Sequence, residues 1–478
     1  MYSEINIEVE DGNLGRNAST ATHAQVKIGV SDAVSSTPVL ITNSMNPEDI
    51  KAKLGFTPLA DACIDATENG LKTIYAIAMN PDIDGEIGNV THTGTGAGIF
   101  TVTGKPNNSY DIAVQITGTG NTNEGSFRYS IDGGNNFSEE HTIPLGGEYG
   151  ISGTGLTLAF EDSSTDEKSF TENDVYSFST TAPTLNNASV LKAVDKLISF
   201  RKEIEICHIV GITAKTLWAA LQSKAEEFMT VHKRPLIFLC EARPCAEGET
   251  FDEYLSAMEA ERKGISSYFI CVSLSYAAYQ RKDLRIQNIN MAGVISGLIG
   301  QAKESLSIGC VEEFPISSAK LLKLLPEGIE EYSQELDGIG YTVFRQYNGK
   351  EDFYISNANV MASLGSDFKY VENVRVLNRI VRSVSSQATD KIQCEIDPDE
   401  LEGSLKPIEA HLNIAMEDAE RDKIISSGEV TIDTENLNIL SDEELNVEVT
   451  WIPMGTVRKF NLKFSVNNPA KFNAEQKE

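Results

Sequence analysis

Cysteine and histidine are the residues with which this 478-residue chain would carry out nucleophilic or metal chemistry, and it has seven and six of them. Cys207 and His208 are adjacent in a predicted strand, so they point to opposite faces and form no nucleophile–base pair. Cys240 and Cys245 flank a predicted strand end, where active sites of open α/β sheets occur, but neither has a histidine nearby. No histidines have zinc-site spacing. We therefore expect no catalytic residue, no metal site and no cofactor.

The absence of longer catalytic motifs supports the same expectation. The chain lacks a phosphate-binding P-loop, a GxSxG nucleophile elbow, a GxGxxG fingerprint after a strand, HExxH and CxxC. An acidic run at 161–167 lacks the ligand register of a calcium loop, which favours a solvated loop. Residues 130–137 resemble the Asp-box turn of sialidases, in which the aspartate caps its own turn, so a structural role is expected.

Charge and hydropathy exclude several other classes. The formal net charge is −30, which argues against nucleic acid as the main partner because phosphate binding needs concentrated Lys and Arg. The first ten residues do not resemble a signal peptide, and no apolar run is long enough to span a bilayer. An odd number of scattered cysteines fits reduced thiols. A soluble protein made in the cytosol, without membrane insertion, is expected.

One basic feature stands out against this acidic background. Arg375, Arg379 and Arg382 form a stripe on a predicted helix, nearly opposite an apolar face that includes Val374 and Val381. Such a stripe is either a solvated helix face or a docking surface for an acidic partner.

The elements that must position these residues follow an α/β pattern. Apolar strands alternate with helices from residue 25 to 79 and again from 188 to 302, including a helix predicted over 286–302. The run at 235–240 is apolar throughout, which is typical of a strand buried on both faces of a largely parallel sheet. The fold class expected is an α/β core with a parallel-type sheet, followed by an α+β C-terminal part that begins near residue 311.

Residues 84–184 interrupt this pattern. Gly, Thr, Asn and Ser dominate there, and short alternating runs are separated by turn signals, which predicts an inserted all-β sandwich or barrel. An insertion must leave the core contacts of its host intact, so we expect it to project outward.

Both ends of the chain show strand-like alternation outside these units. Apolar residues alternate with polar ones near the N-terminus and again close to the C-terminus. They are Ile5, Ile7 and Val9, and then Phe460, Leu462, Phe464 and Val466.

Several segments, in this order, resemble contractile tail sheath proteins of phages and R-type bacteriocins. They are the segment Gly55–Leu59, the Asn69–Gly70 turn, the small-residue stretch 291–300 followed by 307–309, the hairpin 341–355 with its Asn348–Gly349 turn, the Ser366-Asp367-Phe368 loop, the helix 375–382 and the closing strands. The resemblance covers residues 1–83 and 185–468. The insert lies outside it.

The resemblance implies a structural subunit, not an enzyme, that polymerises as a helical stack of rings around a tail tube and contracts without nucleotide to drive the tube through an envelope. The terminal residues above become arms that add strands to a neighbouring copy. Arg375, Arg379 and Arg382 become a tube-facing helix. Baseplate and tail terminator proteins become further partners, and assembly in the bacterial cytoplasm precedes incorporation into the virion or contractile particle.

The implied division of the chain is an N-terminal arm, a split α/β domain, an inserted β-rich decoration domain, a C-terminal α+β sheath core domain, and a C-terminal arm with its tail. The corresponding ranges are 1–20, 21–83 plus 185–310, 84–184, 311–455 and 456–478. Two alternatives remain: an α/β-fold enzyme with a β accessory domain, and a surface-binding or adhesive β protein.

Overall fold

The computed structural model describes residues 23–466, except Ser36, residues 165–167, Leu364, residues 435–436 and Asn438. A capping box starts the first helix: the Asn46 side chain accepts from the Asp49 N–H, and the Asp49 side chain accepts from the Asn46 N–H. The elements before the insert are β1 (Gln25–Val30), β2 (Val39–Thr42), α1 (Pro47–Leu54), α2 (Pro58–Glu68) and β3 (Thr73–Met79).

The next eight strands form two antiparallel sheets, in the orders β4-β11-β6-β7-β8 and β5-β10-β9. Inward side chains of these strands and of their connections, among them Phe127, Phe160 and Phe170, make a hydrophobic core separate from that of the α/β part. The strands are β4 (Thr91–Thr93), β5 (Ile99–Gly104), β6 (Asp111–Gly118), β7 (Ser126–Ser130), β8 (His141–Thr142), β9 (Glu148–Ile151), β10 (Leu156–Glu161) and β11 (Val175–Ser179).

The chain then returns to the α/β part and completes one six-stranded sheet, in the order β14-β13-β12-β1-β3-β2. All neighbours in it are parallel except β2 with β3, so the predicted largely parallel sheet is confirmed. The added elements are α3 (Asn187–Asp195), a 3-10 turn (Lys196–Ile198), β12 (Ile206–Ile212), α4 (Lys215–Thr230), β13 (Ile237–Glu241), α5 (Phe251–Arg262) and β14 (Ile270–Ser273).

The single helix predicted over 286–302 is wrong, because its first residues pair as a strand before the helix begins. The pairing partner is the preceding strand, and the helix that follows packs closely on α2: a Cβ on Gly297 would lie 2.7 Å from the Ala66 carbonyl oxygen. The elements here are β15 (Tyr276–Gln280), β16 (Ile286–Asn290), α6 (Ala292–Gln301), β17 (Leu321–Leu325), a 3-10 turn (Ile329–Tyr332), α7 (Ser333–Ile339), β18 (Phe344–Gln346) and β19 (Phe353–Ile355).

The C-terminal part packs two long helices against a two-stranded antiparallel sheet. Apolar side chains of both helices and of the sheet form one further core, which includes Val376, Ile380, Leu412 and Val430. The elements are α8 (Val371–Thr389), α9 (Leu401–Arg421), β20 (Ile425–Ile432), α10 (Ile439–Asp442) and β21 (Val447–Pro453). No helix in the described ranges is long and apolar enough to cross a membrane.

Candidate assembly interface

The C-terminal arm extends from the subunit with its apolar side chains in solvent. The described residues after β21, 454–466, form neither helix nor strand. Phe460, Leu462, Phe464 and Val466 are each at least 73% exposed. Four large apolar side chains at a spacing of two would form one face of a strand, and exposing them costs about 1.5–3 kcal/mol each relative to burial. The N-terminal counterparts Ile5, Ile7 and Val9 lie outside the described residues.

β21, the strand that precedes this arm in the chain, presents an open edge. In the antiparallel register, Val430 lies opposite Val449 and Ile432 opposite Val447. The N–H groups of Val430 and Ile432 point away from β21, as their bonds to α9 show, so the backbone groups of their partners point away from β20. Among the described residues no further strand pairs with β21. Its outer edge is therefore a template for an added strand.

The opposite edge of the same sheet is closed by side chains of α9. The Asn413 side chain accepts the Val430 N–H at 2.9 Å and donates to the Val430 carbonyl oxygen at 2.8 Å. Glu420 accepts the Gly428 N–H at 2.7 Å, and Glu409 accepts the Ile432 N–H at 3.2 Å. Because these groups are already satisfied, an added strand could pair with the β21 edge but not with this one.

Half-covered apolar side chains accompany the open edge. Val449 and Trp451 are only partly buried, although they pack against the core shared by α8, α9 and β20. The ring of Trp451 lies 6.4 Å, centroid to centroid, from that of Phe368 in the loop before α8. A strand laid along β21 would cover these side chains with its own apolar face.

The arginine stripe of α8 is not a surface feature. Arg375 is 1% exposed and forms an ion pair with Glu205. It also donates to the carbonyl oxygens of Ala302 at 3.0 Å and Lys303 at 3.2 Å, just beyond the end of α6. The guanidinium thus joins α8 to the chain before β12 and to the helix C-terminus.

The other two arginines also bind groups of their own subunit. Arg379 is buried and pairs with Glu304 at 3.2 Å and Asp422 at 3.3 Å. Arg382 pairs with Glu203 at 3.0 Å and donates to the Pro235 carbonyl oxygen at 3.0 Å.

These contacts correct the prediction made for the stripe. A tube-facing or solvated stripe requires exposed guanidinium groups. Arg375 and Arg379 are buried and do not meet this requirement. The acidic partner is present, but it belongs to the same chain.

The Glu205 carboxylate depends on this arrangement. Burial alone would raise its pKa, but Arg375 and His23 outweigh that effect and hold the pKa of Glu205 well below its ordinary range. A buried carboxylate that stays ionised in this way needs its partner, because an unpaired charge in the interior is strongly destabilising.

A second buried polar cluster, centred on Lys27, lies within the main sheet. The Lys27 ammonium donates to Ser296 Oγ and to His208 Nδ1, both at 2.8 Å. An ammonium has no acceptor, so His208 carries its proton on Nε2 and donates it to Glu241 Oε1 at 2.9 Å. Burial lowers the pKa of Lys27 to about 8 and raises the pKa of Glu241 to about 7.

This cluster and the cysteines do not form a nucleophilic site. Cys207 lies in the hydrophobic core, and burial raises the pKa of its thiol. Beyond the β13 end, Arg243 binds both carboxylate oxygens of Glu249 at 2.7 Å, while Cys245 is half-buried. No group of three or more His, Cys, Asp or Glu side chains suited to a metal occurs among the described residues.

Glu241, whose side chain is only 13% exposed, gives a testable pH dependence. Between pH 4.5 and 7 the native state holds a proton on Glu241 that the unfolded chain has lost, so the Glu241 contribution to the free energy of unfolding decreases as the pH rises through that window. Burial lowers the pKa of the neighbouring His208, so the His208 contribution has the opposite sign in the acidic part of the same window. The Glu241 shift corresponds to on the order of 3 kcal/mol. Glu241→Gln should remove the Glu241 contribution, so its free energy of unfolding should increase more steeply with pH than that of the wild type in denaturant titrations at pH 4.5, 6 and 7.5.

A matched control is Glu148→Gln, which changes an exposed carboxylate and should leave the slope as in the wild type. An unchanged slope in Glu241→Gln would contradict the assignment.

Polar contacts join the inserted strands to the α/β part. Asn108 donates to Asp61 at 2.7 Å, and Asp61 in turn pairs with Arg281 at 3.1 Å and Arg285 at 2.7 Å.

In the Asp-box turn, Asp132 accepts the Asn136 N–H at 2.9 Å, as expected for a structural turn.

A cavity of about 560 Å³ remains between the insert and the strand ends of the main sheet. It lies where open α/β sheets bind ligands. Two of the acidic side chains that line it are paired: Glu241 with His208 at 2.9 Å, and Asp65 with Arg281 at 2.8 Å. This pairing favours a structural contact between the insert and the main sheet over an enzyme site.

Comparisons with known proteins agree with this architecture. The anti-feeding prophage (AFP) helical sheath in its contracted state superposes with a TM-score of 0.53 at 9% identity, over 97% of this chain and 99% of that one. A chain of the AFP baseplate in its contracted state gives 0.51 at 9% identity, over 98% of each chain. A sheath tail protein from Desulfitobacterium hafniense gives 0.48 at 12% identity, over 95% and 100%.

At these identities the AFP matches show a shared fold, a mixed α/β architecture with several sheets. No curated protein is matched. Two family models match the sequence: the DUF2586 N-terminal domain over residues 2–359 and the DUF2586 C-terminal domain over residues 367–471. The chain therefore belongs to the DUF2586 family.

Proposed function

We propose that this chain is the sheath subunit of a contractile tail, a structural protein that polymerises around a tube and contracts. The observation that carries the proposal is the pairing of an exposed, alternating C-terminal arm with an open β21 edge in the same subunit. A soluble monomer gains nothing from either feature, whereas a polymer satisfies both at once. The fold shared with the contracted AFP sheath supports it.

In this polymer each arm adds a strand to β21 of a neighbouring copy, and backbone hydrogen bonds link the subunits. Such links run through the main chain, so neighbours stay joined while the subunits rotate and slide. The energy of contraction then comes from two lattice packings of different stability rather than from a nucleotide.

The regions of the subunit take different roles in this proposal. Residues 1–20 and 456–478 are the arms, 21–83 with 185–310 the split α/β domain, 84–184 the decoration, and 311–455 the sheath core. The ion pairs of Arg375 and Arg379 hold α8 to the α/β domain, so that force on the arm-binding sheet reaches the whole subunit. Tube, baseplate and terminator proteins are the further partners proposed, with assembly in the bacterial cytoplasm.

Negative-stain electron microscopy of the purified chain, alone and co-expressed with its tube protein, tests the proposal. Hollow tubes or ring stacks with projections at residues 84–184 are the expected result. A monomer or small closed oligomer under both conditions would contradict it.

A further inference from the structure

The C-terminal arm is fastened to its own subunit at one residue, Arg458. Its guanidinium donates to the side chains of Asn357 and Glu372. The same group lies over the ring of Tyr370, with 3.5 Å between its central carbon and the ring centroid. Of the described residues 454–466, Arg458 makes hydrogen bonds back to the body of the subunit, while the apolar residues after it extend into solvent.

Arg458 neutralises a buried negative charge. Glu372 is 3% exposed in the first turn of α8, and its second carboxylate oxygen is buried without a hydrogen-bond partner among the described residues. Arg458 is therefore the cation that compensates this carboxylate. An ion pair with a buried partner and a face-on aromatic contact is stronger than a surface ion pair.

The position of Arg458 divides the arm into two segments. Residues 454–457 connect the end of β21 to Arg458, and residues 459–466 carry the apolar strand pattern. The contacts of Arg458 with Asn357, Glu372 and Tyr370 are called the clamp below, closed when they are made and open when they are not. With the clamp closed, the free described segment reaches about 26 Å, at roughly 3.3 Å per residue. With the clamp open, the free segment starts after Pro453 and reaches about 43 Å.

We propose that Arg458 is a releasable clamp that positions the C-terminal arm for a neighbouring copy of this chain. When closed, it fixes the point from which the donor strand leaves and thereby its register on the neighbour's β21 edge. When open, it releases about 17 Å of extra chain, so that the neighbour can move without withdrawal of the strand. The inference rests on the proposed sheath function, and Arg458 acts in it as a positioning residue.

Limited trypsin digestion of the full-length monomer tests the clamp without any assembly. Trypsin must bind the Arg458 side chain to cut after it, so the clamp competes with the protease, whereas Lys463 lies in the free segment. We expect slow cleavage after Arg458 and fast cleavage after Lys463 in the wild type, followed by mass spectrometry. Glu372→Gln should accelerate cleavage after Arg458 about tenfold, which corresponds to losing about 1.4 kcal/mol of clamp closure, and leave cleavage after Lys463 unchanged.

Two further variants keep the test decisive. Tyr370→Leu removes the ring but not the carboxylate and should also accelerate cleavage after Arg458, which covers the case in which Glu372→Gln loosens α8. Glu402→Gln alters a carboxylate in the first turn of α9 whose side chain is 82% exposed, and should change nothing. Equal wild-type rates after Arg458 and Lys463, or no acceleration in both clamp variants, would overturn the proposal.

Assembly provides the second measurement. Glu372→Gln subunits should polymerise several-fold more slowly than the wild type in light scattering, because the donor strand starts from a less defined point, while Arg458→Lys should be intermediate since it keeps the charge but not the planar fork. A polymer with no clamp effect in either assay contradicts this inference alone. A clamp in the monomer with no polymer contradicts the sheath proposal instead.

Discussion

The double variant Phe460→Asp/Phe464→Asp is expected to remain a folded monomer and to form no polymer. Both side chains are exposed in the isolated subunit, so their replacement removes no internal contact and should leave the unfolding midpoint within about 1 °C. In the polymer they would lie against the neighbour's β21 and helices. Loss of two buried phenylalanines, with two carboxylates in their place, weakens strand addition by more than about 4 kcal/mol, or about a thousandfold in affinity.

The matched control is Asn461→Asp/Ser465→Asp. It adds the same two charges to the same segment, but on the opposite face of the strand, which stays in solvent. Sedimentation velocity and electron microscopy should show wild-type polymer for the control and none for the phenylalanine variant. Equal assembly of the two variants would mean that the arm's apolar face is not buried between subunits.

The second large effect is expected at Arg375. Arg375→Met removes the buried partner of Glu205 together with donors to the Ala302 and Lys303 carbonyl oxygens. Breaking a buried ion pair by removing one partner costs about 3–5 kcal/mol. We expect the urea midpoint of the transition that includes α8 to decrease accordingly, whereas Arg421→Met, at a half-exposed surface pair with Asp418, should cost less than about 1 kcal/mol.

The same ion pair has a predictable pH dependence. In the wild type the lowered pKa of Glu205 contributes stability that is present above the unfolded-state pKa and is lost as the pH falls toward the native-state pKa. In Arg375→Met, burial without the cation raises the pKa of Glu205. Lowering the pH therefore protonates the unpaired carboxylate and stabilises this variant, whereas it destabilises the wild type. The stability difference between the two proteins should therefore be largest near pH 7 and should narrow toward pH 4.

A double variant provides the check. Adding Glu205→Gln to Arg375→Met removes the unpaired buried carboxylate. The double variant should therefore recover part of the lost free energy of unfolding at pH 7. No recovery, with a pH-independent difference between wild type and Arg375→Met, would contradict the ion-pair account.

Much of the fold could be predicted from local patterns. The apolar strand at 235–240 indicated a strand buried on both faces, and the alternating Thr- and Gly-rich runs indicated the inserted sheets. The Asn348–Gly349 turn indicated the hairpin of β18 and β19, in which Gly349 has a φ of 79°. These signals are local, so no distant residue is needed to interpret them.

The role of the arginine stripe could not be predicted in the same way. Its spacing placed Arg375, Arg379 and Arg382 on one helix face. The carboxylates that pair with the first two, Glu205 and Glu304, are far away in the sequence. Charge periodicity alone does not distinguish a solvated face from one neutralised by the same chain. The sequence contains one indication of the Lys27 cluster, which is a lysine within the apolar strand β1.

The most direct test of arm donation is photocross-linking between differently labelled copies of the chain. Benzoylphenylalanine is placed at position 464 in unlabelled subunits, which are then co-assembled with ¹⁵N-labelled wild-type subunits and irradiated, and cross-linked peptides are identified by mass spectrometry. The account predicts links from the unlabelled arm to labelled peptides that contain residues 447–453. Links confined to the arm's own subunit, or to labelled peptides outside α8, α9, β20 and β21, would contradict it.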